Sequence, residues 1–152
     1  MPSSCPPWRS PIVTAGILRR WTGSLAGQGA AIVNLSLAGP PNETLAYVLR
    51  GFADRGLILI AATGNDGADA VAFPASDPNV LGVSAVDAWG RAYPMANHGP
   101  EVDFVAPGVE LLVDEGTKRA YRSGTSYASA VATGVIAHLF AGGRRPAADI
   151  AD

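Results

Sequence analysis

Two short apolar runs on either side of a helical segment constrain the fold of this chain more than any other feature. The first run is AAIVNLSLAG (residues 30–39), bounded by Gly and Pro, and the second is the almost unbroken LILIAATG (57–64). Both are typical of strands, and an unbroken apolar strand is usually buried on both faces by helices. A strand, a helix and a strand in this order form a right-handed crossover. The sequence therefore predicts an α/β fold with a parallel sheet flanked by helices.

The segment between the two runs, NETLAYVLRGFADRG (42–56), has the pattern of an amphipathic helix. Asn42 is a suitable N-cap and Gly56 a suitable stop. Apolar residues recur between them at helical spacing: Leu45, Val48, Leu49 and Phe52. A helix is therefore predicted between the first two strands.

Later segments predict further strands and a second helix. VLGVSAV (80–86) and VDFVAPG (102–108) have the composition of strands, and a shorter strand is predicted near VELLV (109–113). A last helix is predicted from Ser126 to about Phe140, where Gly142 and Gly143 end it. Its residues are small or apolar on nearly every side, which predicts a helix that is buried all round.

The 152 residues are enough for one domain, and the sequence divides into three parts. Residues 1–29 are predicted to be a disordered proline-rich leader, MPSSCPPWRSP, followed by an amphipathic helix at 12–28. Residues 30–143 hold the predicted sheet, and residues 144–152 are a tail. Cys5, the only cysteine, lies in the leader without a nearby base, so it predicts neither a disulfide nor a thiol nucleophile.

Composition and charge exclude several classes of protein. A hydrophobic content of 48% with 16% charged residues excludes a disordered chain or a coiled coil. The net charge of −2 and the dispersed arginines predict no nucleic-acid partner. The apolar runs are far shorter than the roughly 20 residues of a membrane span, so no membrane partner is predicted. The N-terminus lacks the pattern of a secretory signal, and the compartment stays undetermined.

Three polar segments are predicted to meet at one edge of the sheet. NLSLAG (34–39) and AATGNDG (61–67) end neighbouring strands, and such strand ends share one crevice. Ser126, in RSGTSYAS (122–129), begins the last helix, where unpaired N–H groups and the helix dipole stabilise negative charge. Two alternatives stay open on these residues alone. Ser126 could be an ordinary N-cap, and Asn65 a turn residue that tolerates left-handed φ.

Four segments resemble the subtilases, the subtilisin-like serine endopeptidases: SGTSYAS, FPASDPNVLGVSAVD, VDFVAPG and AATGND. They follow the family's order and spacing from about Ala30 to Leu139. The resemblance implies a three-layer sandwich of which this chain carries the C-terminal half, with residues 30–143 as a partial peptidase domain. It also implies that Ser126 is the nucleophile, and that the Ser126 N–H and the Asn65 amide hold the oxyanion.

The same resemblance implies where a polypeptide substrate binds. The backbone of one segment would pair with the extended substrate as an added strand, and a second segment would form a wall of the pocket for the residue before the cut. The first segment is Ser36, Leu37 and Ala38, and the second is Ala62, Thr63 and Gly64.

The chain departs from the family at the residues that activate the serine. The family takes its base from a His that an Asp orients, and both precede the serine in chain order. No Asp or His occurs in the first 50 residues. His138 lies twelve residues beyond Ser126 on the same predicted helix, about 18 Å away at a rise of about 1.5 Å per residue. His98 matches a family position that is usually aromatic, and Lys118 lies at a predicted hairpin tip, so neither is expected to be the base.

Smaller departures affect the helix, the pocket and metal binding. Ala130-Val131 replace the family's Pro-His pair, which predicts a straighter helix. Ala38 replaces a glycine and is expected to narrow the site. Asp66 and Asp69 match no complete calcium loop, so they predict a solvated loop, and neither a metal nor a cofactor is expected.

Two hypotheses follow. In the first, the chain is half of a serine endopeptidase whose N-terminal half is supplied upstream or by another polypeptide. In the second, it is an inactive remnant or a peptide-binding pseudoenzyme. Loss of the catalytic histidine alone costs subtilisin roughly 10⁶-fold in turnover, so the isolated chain is expected to be almost inactive. The strand at 30–39 lacks its family partner, and its free edge predicts self-association.

Overall fold

A four-stranded parallel sheet forms the centre of the protein. The computed structural model describes residues 31–114, 116 and 118–141. The strands are β1 (Ile32–Leu35), β2 (Ile58–Ala62), β3 (Leu81–Val86) and β4 (Phe104–Pro107), hydrogen-bonded in that order. All three pairs are parallel, which confirms the predicted α/β fold. The predicted leader and helix at 1–29 and the tail at 144–152 lie outside the described residues.

Helix α1 (Glu43–Ala53) connects β1 to β2. It begins where predicted, because the Asn42 side chain accepts a hydrogen bond from the Leu45 N–H at 2.9 Å. The chain leaves the helix through Gly56, whose φ of 81° is a left-handed conformation that glycine adopts without strain. The N-cap at Asn42 and the turn at Gly56 thus limit the length of helix α1.

The two faces of the sheet bury separate apolar clusters. On one face, Leu59 of β2 packs with Leu49 of α1. On the other face, Ile60 packs with Ile136 of the last helix, α2 (Thr125–Ala141). Every residue of β2 is buried, as expected for a strand covered on both sides. The arrangement of helix, sheet and helix confirms the three-layer architecture.

Helix α2 packs against all four strands of the sheet. It continues without interruption through Ala130 and Val131, consistent with the absence of a proline there. The prediction that it is buried all round is wrong, since the side chains of Val135 and Leu139 are 56% and 38% exposed. The sheet covers only one side of the helix. The small apolar residues on the other side have no described segment packed over them at Val135 and Leu139. Neither of the helices in the described ranges has the length and hydropathy needed to cross a bilayer.

An antiparallel hairpin precedes α2. Its strands are β5 (Leu111–Asp114) and β6 (Arg119–Arg122), and β5 confirms the short strand predicted near residues 109–113. Lys118 is exposed just before β6, as predicted for a hairpin tip. At the base of the hairpin, the Ser123 hydroxyl accepts a hydrogen bond from the Glu110 N–H at 2.9 Å. The hairpin therefore leads directly into the first turn of α2.

Candidate active site

The carboxamide of Asn65 is fastened to the first turn of α2. Its Oδ1 accepts a hydrogen bond from the Thr125 N–H at 2.9 Å and lies 3.1 Å from the Thr125 hydroxyl. The same hydroxyl lies 3.3 Å from both the N–H and the carbonyl oxygen of Gly64. The end of β2 and the start of α2 therefore form one unit, with Asn65 against the residue that precedes Ser126.

This attachment orients the Asn65 carboxamide. Because Oδ1 accepts from Thr125, the Nδ2 group remains as the donor, and it forms no hydrogen bond with another described residue. A Cβ at Gly124 would lie 3.6 Å from both polar atoms of the carboxamide, an ordinary van der Waals distance, so Asn65 lies next to the backbone of Gly124. An exposed amide donor thus stands beside the start of α2.

Gly64 provides the left-handed turn before Asn65. Its φ is 105°, whereas Glu110 is the only non-glycine residue of the described ranges with positive φ. The alternative that Asn65 is a left-handed turn residue is therefore wrong. A side chain at Gly64 would also collide with the carboxamide of Asn97. Both the backbone conformation and the lack of space therefore require a glycine at this position.

Asn97 supports the loop that carries Asn65, a role that the sequence reasoning missed. Its buried Oδ1 accepts hydrogen bonds from the N–H groups of Asp66 at 2.8 Å and Ala68 at 3.2 Å. Its own N–H donates to the Gly64 carbonyl at 3.0 Å. The only available signal was an Asn close to a Gly-Pro turn, which predicts a local loop contact but not one 31 residues away.

Ser36 fastens the end of β1 to the same turn of α2. Its hydroxyl donates to the Ser126 carbonyl oxygen at 3.1 Å and lies 3.1 Å from the Ser129 hydroxyl. Ser129, which is fully buried, donates to the same carbonyl at 3.0 Å. Asn34 completes the group by donating from Nδ2 to the Ser36 hydroxyl at 2.8 Å. Ser129 and Asn34 were not predicted as part of the site.

Ser126 lies inside the first turn of α2 rather than at its cap. The helix begins at Thr125, and the Gly124 carbonyl accepts from the N–H groups of Tyr127 and Ala128. Ser126 is half-buried, and its hydroxyl makes no hydrogen bond with another described residue. The N–H groups of a first helical turn have no partner within the helix, so this turn offers a donor beside the hydroxyl.

Gly108 allows α2 to begin this close to the sheet. It follows β4, and its carbonyl accepts from the Gly124 N–H at 2.8 Å. A Cβ at Gly108 would lie 2.8 Å from the Cβ of Ala85 and 2.9 Å from that of Ala128. Such contacts are too short for carbon atoms. The small residues at the N-terminal end of α2 therefore allow the helix to lie close to the ends of the strands.

The two predicted substrate-binding segments follow neighbouring strands. Leu35 and Ala61 are partners in the β1–β2 pair, so residues 36–38 and 62–64 leave the sheet side by side. A third segment joins them, because Gly39 and Phe73 exchange backbone hydrogen bonds of 2.8 and 3.1 Å and the Ala72 N–H donates to the Thr63 carbonyl at 3.0 Å. Backbone hydrogen bonds therefore link segment 36–39 to segment 62–65 through residues 72–73.

The three basic residues considered as activators make no contact with Ser126. His98 Nε2 lies 2.6 Å from Asp69 Oδ1, on the loop that follows Asn65. His138 is exposed near the far end of α2, and Lys118 is exposed on the hairpin. Asp69 is thus paired with a histidine, and the described residues contain no cluster of potential metal ligands.

Comparisons with known proteins identify the family of the chain. A sequence profile described as the subtilase family matches residues 9–146. The thermophilic serine proteinase of Bacillus sp. (strain AK1) is 40% identical over 121 residues, which are 78% of this chain and 30% of the relative. Subtilisin BL of Lederbergia lenta is 34% identical over 119 residues, which are 77% of this chain and 43% of the relative.

Solved structures extend the similarity to the fold. The prenylagaramide maturation protease PagA superposes with a TM-score of 0.75 at 30% identity, covering 87% of this chain and 52% of that one. The self-cleaved protease domain of PatA gives a TM-score of 0.75 at 29% identity, covering 85% and 54%. The chain therefore spans about half of these protease structures and less of the curated relatives. On its sequence, its fold and the arrangement of its strand ends, this chain belongs to the subtilase family.

Proposed function

We propose that this chain supplies the nucleophile and the oxyanion-binding half of a serine endopeptidase site. The observation that carries the proposal is the 2.9 Å hydrogen bond from the Thr125 N–H to Asn65 Oδ1. It leaves the Asn65 amide group and the first turn of α2 as two donors beside the Ser126 hydroxyl. Donors fixed around one point can stabilise the negative charge that develops on a carbonyl oxygen under attack.

In the proposed reaction, Ser126 Oγ attacks the carbonyl carbon of the scissile peptide bond and gives its proton to a histidine. The carbonyl oxygen becomes an oxyanion, which accepts hydrogen bonds from the Ser126 N–H and from Asn65 Nδ2. The histidine then protonates the leaving amine, the C–N bond breaks, and an acyl ester remains on Ser126. Water hydrolyses the ester by the same steps, which releases the acid and restores the hydroxyl.

The proposed substrate is an extended polypeptide. Its backbone would pair with Ser36, Leu37 and Ala38, as a strand added beside the end of β1. The residue before the cut would enter the crevice whose wall is formed by Ala62, Thr63 and Gly64. Hydrogen bonds that link segments 36–39 and 62–65 through 72–73 support this location, since they hold the two segments next to each other.

The proposal requires a histidine and its aspartate from outside the described residues. His98 is engaged by Asp69 and His138 lies near the far end of α2, so neither is assigned as the base. A polypeptide carrying the family's Asp and His, upstream or separate, would complete the triad. Without it, turnover is expected to be lower by about 10⁶-fold, the cost of losing the histidine in subtilisin.

A second candidate function is peptide binding without cleavage. It is favoured by one observation, that no imidazole or ammonium group of the described residues contacts Ser126. A chain of this kind would retain the crevice and the oxyanion donors but would not form an acyl ester.

Covalent labelling separates the two functions. The full chain is treated with a fluorophosphonate, alone and after mixing with a polypeptide that carries the family's Asp and His. The endopeptidase proposal predicts negligible labelling of the chain alone and stoichiometric labelling of the mixture, lost in Ser126→Ala. A folded mixture that binds tightly and still fails to label Ser126 would favour peptide binding.

A further inference from the structure

The loop at residues 65–70, which begins with the proposed oxyanion donor, is held mainly by polar contacts. Its side chains bury little, since Ala68 is half-buried and the other five residues are exposed. Three of its N–H groups donate to the segment around Asn97, two of them to the Asn97 side chain and one to the Met95 carbonyl at 2.9 Å. A loop with few buried apolar contacts opens more easily than the core, so each polar contact contributes to its order.

His98 adds a side-chain contact at the far end of this loop. Its N–H donates to the Ala68 carbonyl at 3.0 Å, and its ring Nε2 lies 2.6 Å from Asp69 Oδ1. His98 directly follows Asn97, so the segment that supports the start of the loop also carries this ring. The other contacts join amide and carbonyl groups. Of the contacts named here, therefore, only the His98–Asp69 pair changes charge with pH.

Both ring nitrogens of His98 face hydrogen-bond acceptors. Nε2 faces the Asp69 carboxylate, and Nδ1 lies 3.4 Å from the Ala96 carbonyl oxygen. Only the imidazolium ion carries a hydrogen on both ring nitrogens. Neutral imidazole leaves a nitrogen lone pair facing one of the two oxygens, and the ion pair with Asp69 exists only in the protonated form.

The other charged groups of the two segments are carboxylates. The loop contributes Asp66 and Asp69, and the His98 segment contributes Glu101, whose Oε2 would lie 2.7 Å from a Cβ at Gly99. Residues 64–73 and 94–101 contain no Lys or Arg. A histidine changes its charge between about pH 5 and about pH 8. Deprotonation in this range therefore removes the only positive charge from the two segments.

We propose that His98 is a positioning residue: through Asp69 it holds the loop that carries Asn65, and it holds this loop more firmly when protonated. The inference rests on the proposed function and deepens it, since it makes the order of one oxyanion donor depend on pH. The two side chains are 64% and 96% exposed, so solvent screens their attraction. An exposed ion pair of this kind shifts an opening equilibrium by about two- to fivefold.

Amide hydrogen exchange of the full chain, measured by NMR, tests the pair without requiring turnover. The N–H groups of Asp66, Gly67 and Ala68 report on opening of the loop, because each donates to the segment around Asn97. Asp69→Asn keeps the shape of the side chain and removes its charge. It is expected to lower the protection of these groups about two- to fivefold at about pH 5.5, and less than about twofold at about pH 7.5.

The matched control is Asp66→Asn, which removes another exposed carboxylate from the same loop. It is expected to leave protection unchanged at both pH values. Equal losses in the two variants would mean that net charge, and not the pair, orders the loop. Wild-type protection in Asp69→Asn at the lower pH, or the same loss at both pH values, would overturn the inference.

Turnover tests the link to Asn65. The chain is combined with a polypeptide that carries the family's Asp and His, and His98→Phe keeps a ring at the position but removes both nitrogens. The ratio of wild-type to variant kcat is expected to be about two- to fivefold larger at about pH 6 than at about pH 8, with KM unchanged. In an Asn65→Ala background, this ratio should not depend on pH.

The outcomes distinguish the inference from the proposed function. A pH-dependent ratio that persists without the Asn65 carboxamide would show that His98 does not act through Asn65. A mixture without any hydrolysis would contradict the proposed function, and the exchange measurement would still decide whether the His98–Asp69 pair orders the loop.

Discussion

Asn65 Oδ1 accepts a hydrogen bond from the Thr125 N–H at 2.9 Å, although the two residues are 60 positions apart in the chain. This contact fixes the start of α2 on the end of β2. It satisfies one of the N–H groups that a helix leaves unpaired in its first turn, so it contributes to stability as well as to the geometry of the site.

Replacing Asn65 tests that structural contribution. Asn65→Ala is expected to lower the free energy of unfolding by about 1–2 kcal/mol, because the Thr125 N–H loses its acceptor. Urea denaturation of the purified chain measures the change. The control is Asp66→Ala, an exposed neighbour whose substitution is expected to change stability by less than about 0.5 kcal/mol. Equal effects of the two variants would contradict the role of the Asn65 contact.

Two glycine substitutions test the close approach of α2 to the sheet. Gly108→Ala is expected to destabilise the protein by about 1–3 kcal/mol, because the added Cβ lies 2.8 Å from Ala85 Cβ and 2.9 Å from Ala128 Cβ. Gly134→Ala, within α2, adds a Cβ that meets nothing within 4 Å and is expected to stabilise the protein by about 0.5–1 kcal/mol. Denaturation midpoints of the two variants should therefore move in opposite directions. Two shifts of the same sign would show that helix approach does not limit stability.

The outer face of α2 and the free side of β1 predict self-association. Val135 and Leu139 are 56% and 38% exposed, and β1 pairs with β2 alone among the described strands. Light scattering after size exclusion is expected to show oligomers of the isolated chain. Joint substitution of Val135→Glu and Leu139→Glu should reduce them, because charge on this face opposes its burial.

The control for that experiment is Tyr47→Glu. Tyr47 is 78% exposed on α1, on the other side of the sheet from α2, so its substitution should leave the oligomers unchanged. A monodisperse monomer of the wild-type chain, with a cooperative unfolding transition, would show that these surfaces do not drive association.

Asp87, in the turn after β3, has a pKa that depends on its neighbour Arg91. Desolvation tends to raise the pKa of Asp87, but hydrogen bonds from Arg91 and the Trp89 N–H, together with the Arg91 charge, bring it below its usual value. A lowered folded-state pKa contributes stability that is present above the unfolded pKa and is lost as pH falls through the folded pKa. Arg91→Gln should raise the pKa of Asp87 toward its usual value, measured by NMR titration from about pH 6 to about pH 2.

Lys118→Gln is the matched control for that titration, since it removes an exposed cation on the hairpin and not at this turn. It should leave the pKa of Asp87 unchanged. An unchanged pKa in Arg91→Gln would mean that the 2.7 Å ion pair between Arg91 and Asp87 does not stabilise the carboxylate.

The sheet and α1 were predictable because their signals are local. Asn42, the periodic leucines and Gly56 define α1 within fifteen residues, and the unbroken apolar run of β2 indicates burial on both faces. The motif around Ser126 and the strand end at Asn65 were found in the same way, through short segments of specific composition. Each of these features depends on neighbours in the chain.

The supporting contacts were not predictable, because they join residues that are far apart in the chain. Asn97 holds the Asn65 loop across about thirty residues, and Ser129 meets Ser36 across 93 positions. Neither residue stands out by composition. The exposed face of α2 was predicted wrongly for a related reason, since an apolar pattern shows what a helix can bury but not which segment covers it.

The most direct test of the proposed site is the effect of Asn65→Ala on kcat for peptide hydrolysis. The chain is combined with a polypeptide that carries the family's Asp and His, and Ser126→Ala serves as the inactive control. If Asn65 and Ser126 act on one substrate carbonyl, kcat falls by about 10²–10³-fold while KM changes little. An unchanged kcat in Asn65→Ala, or hydrolysis that persists in Ser126→Ala, would contradict the proposed site.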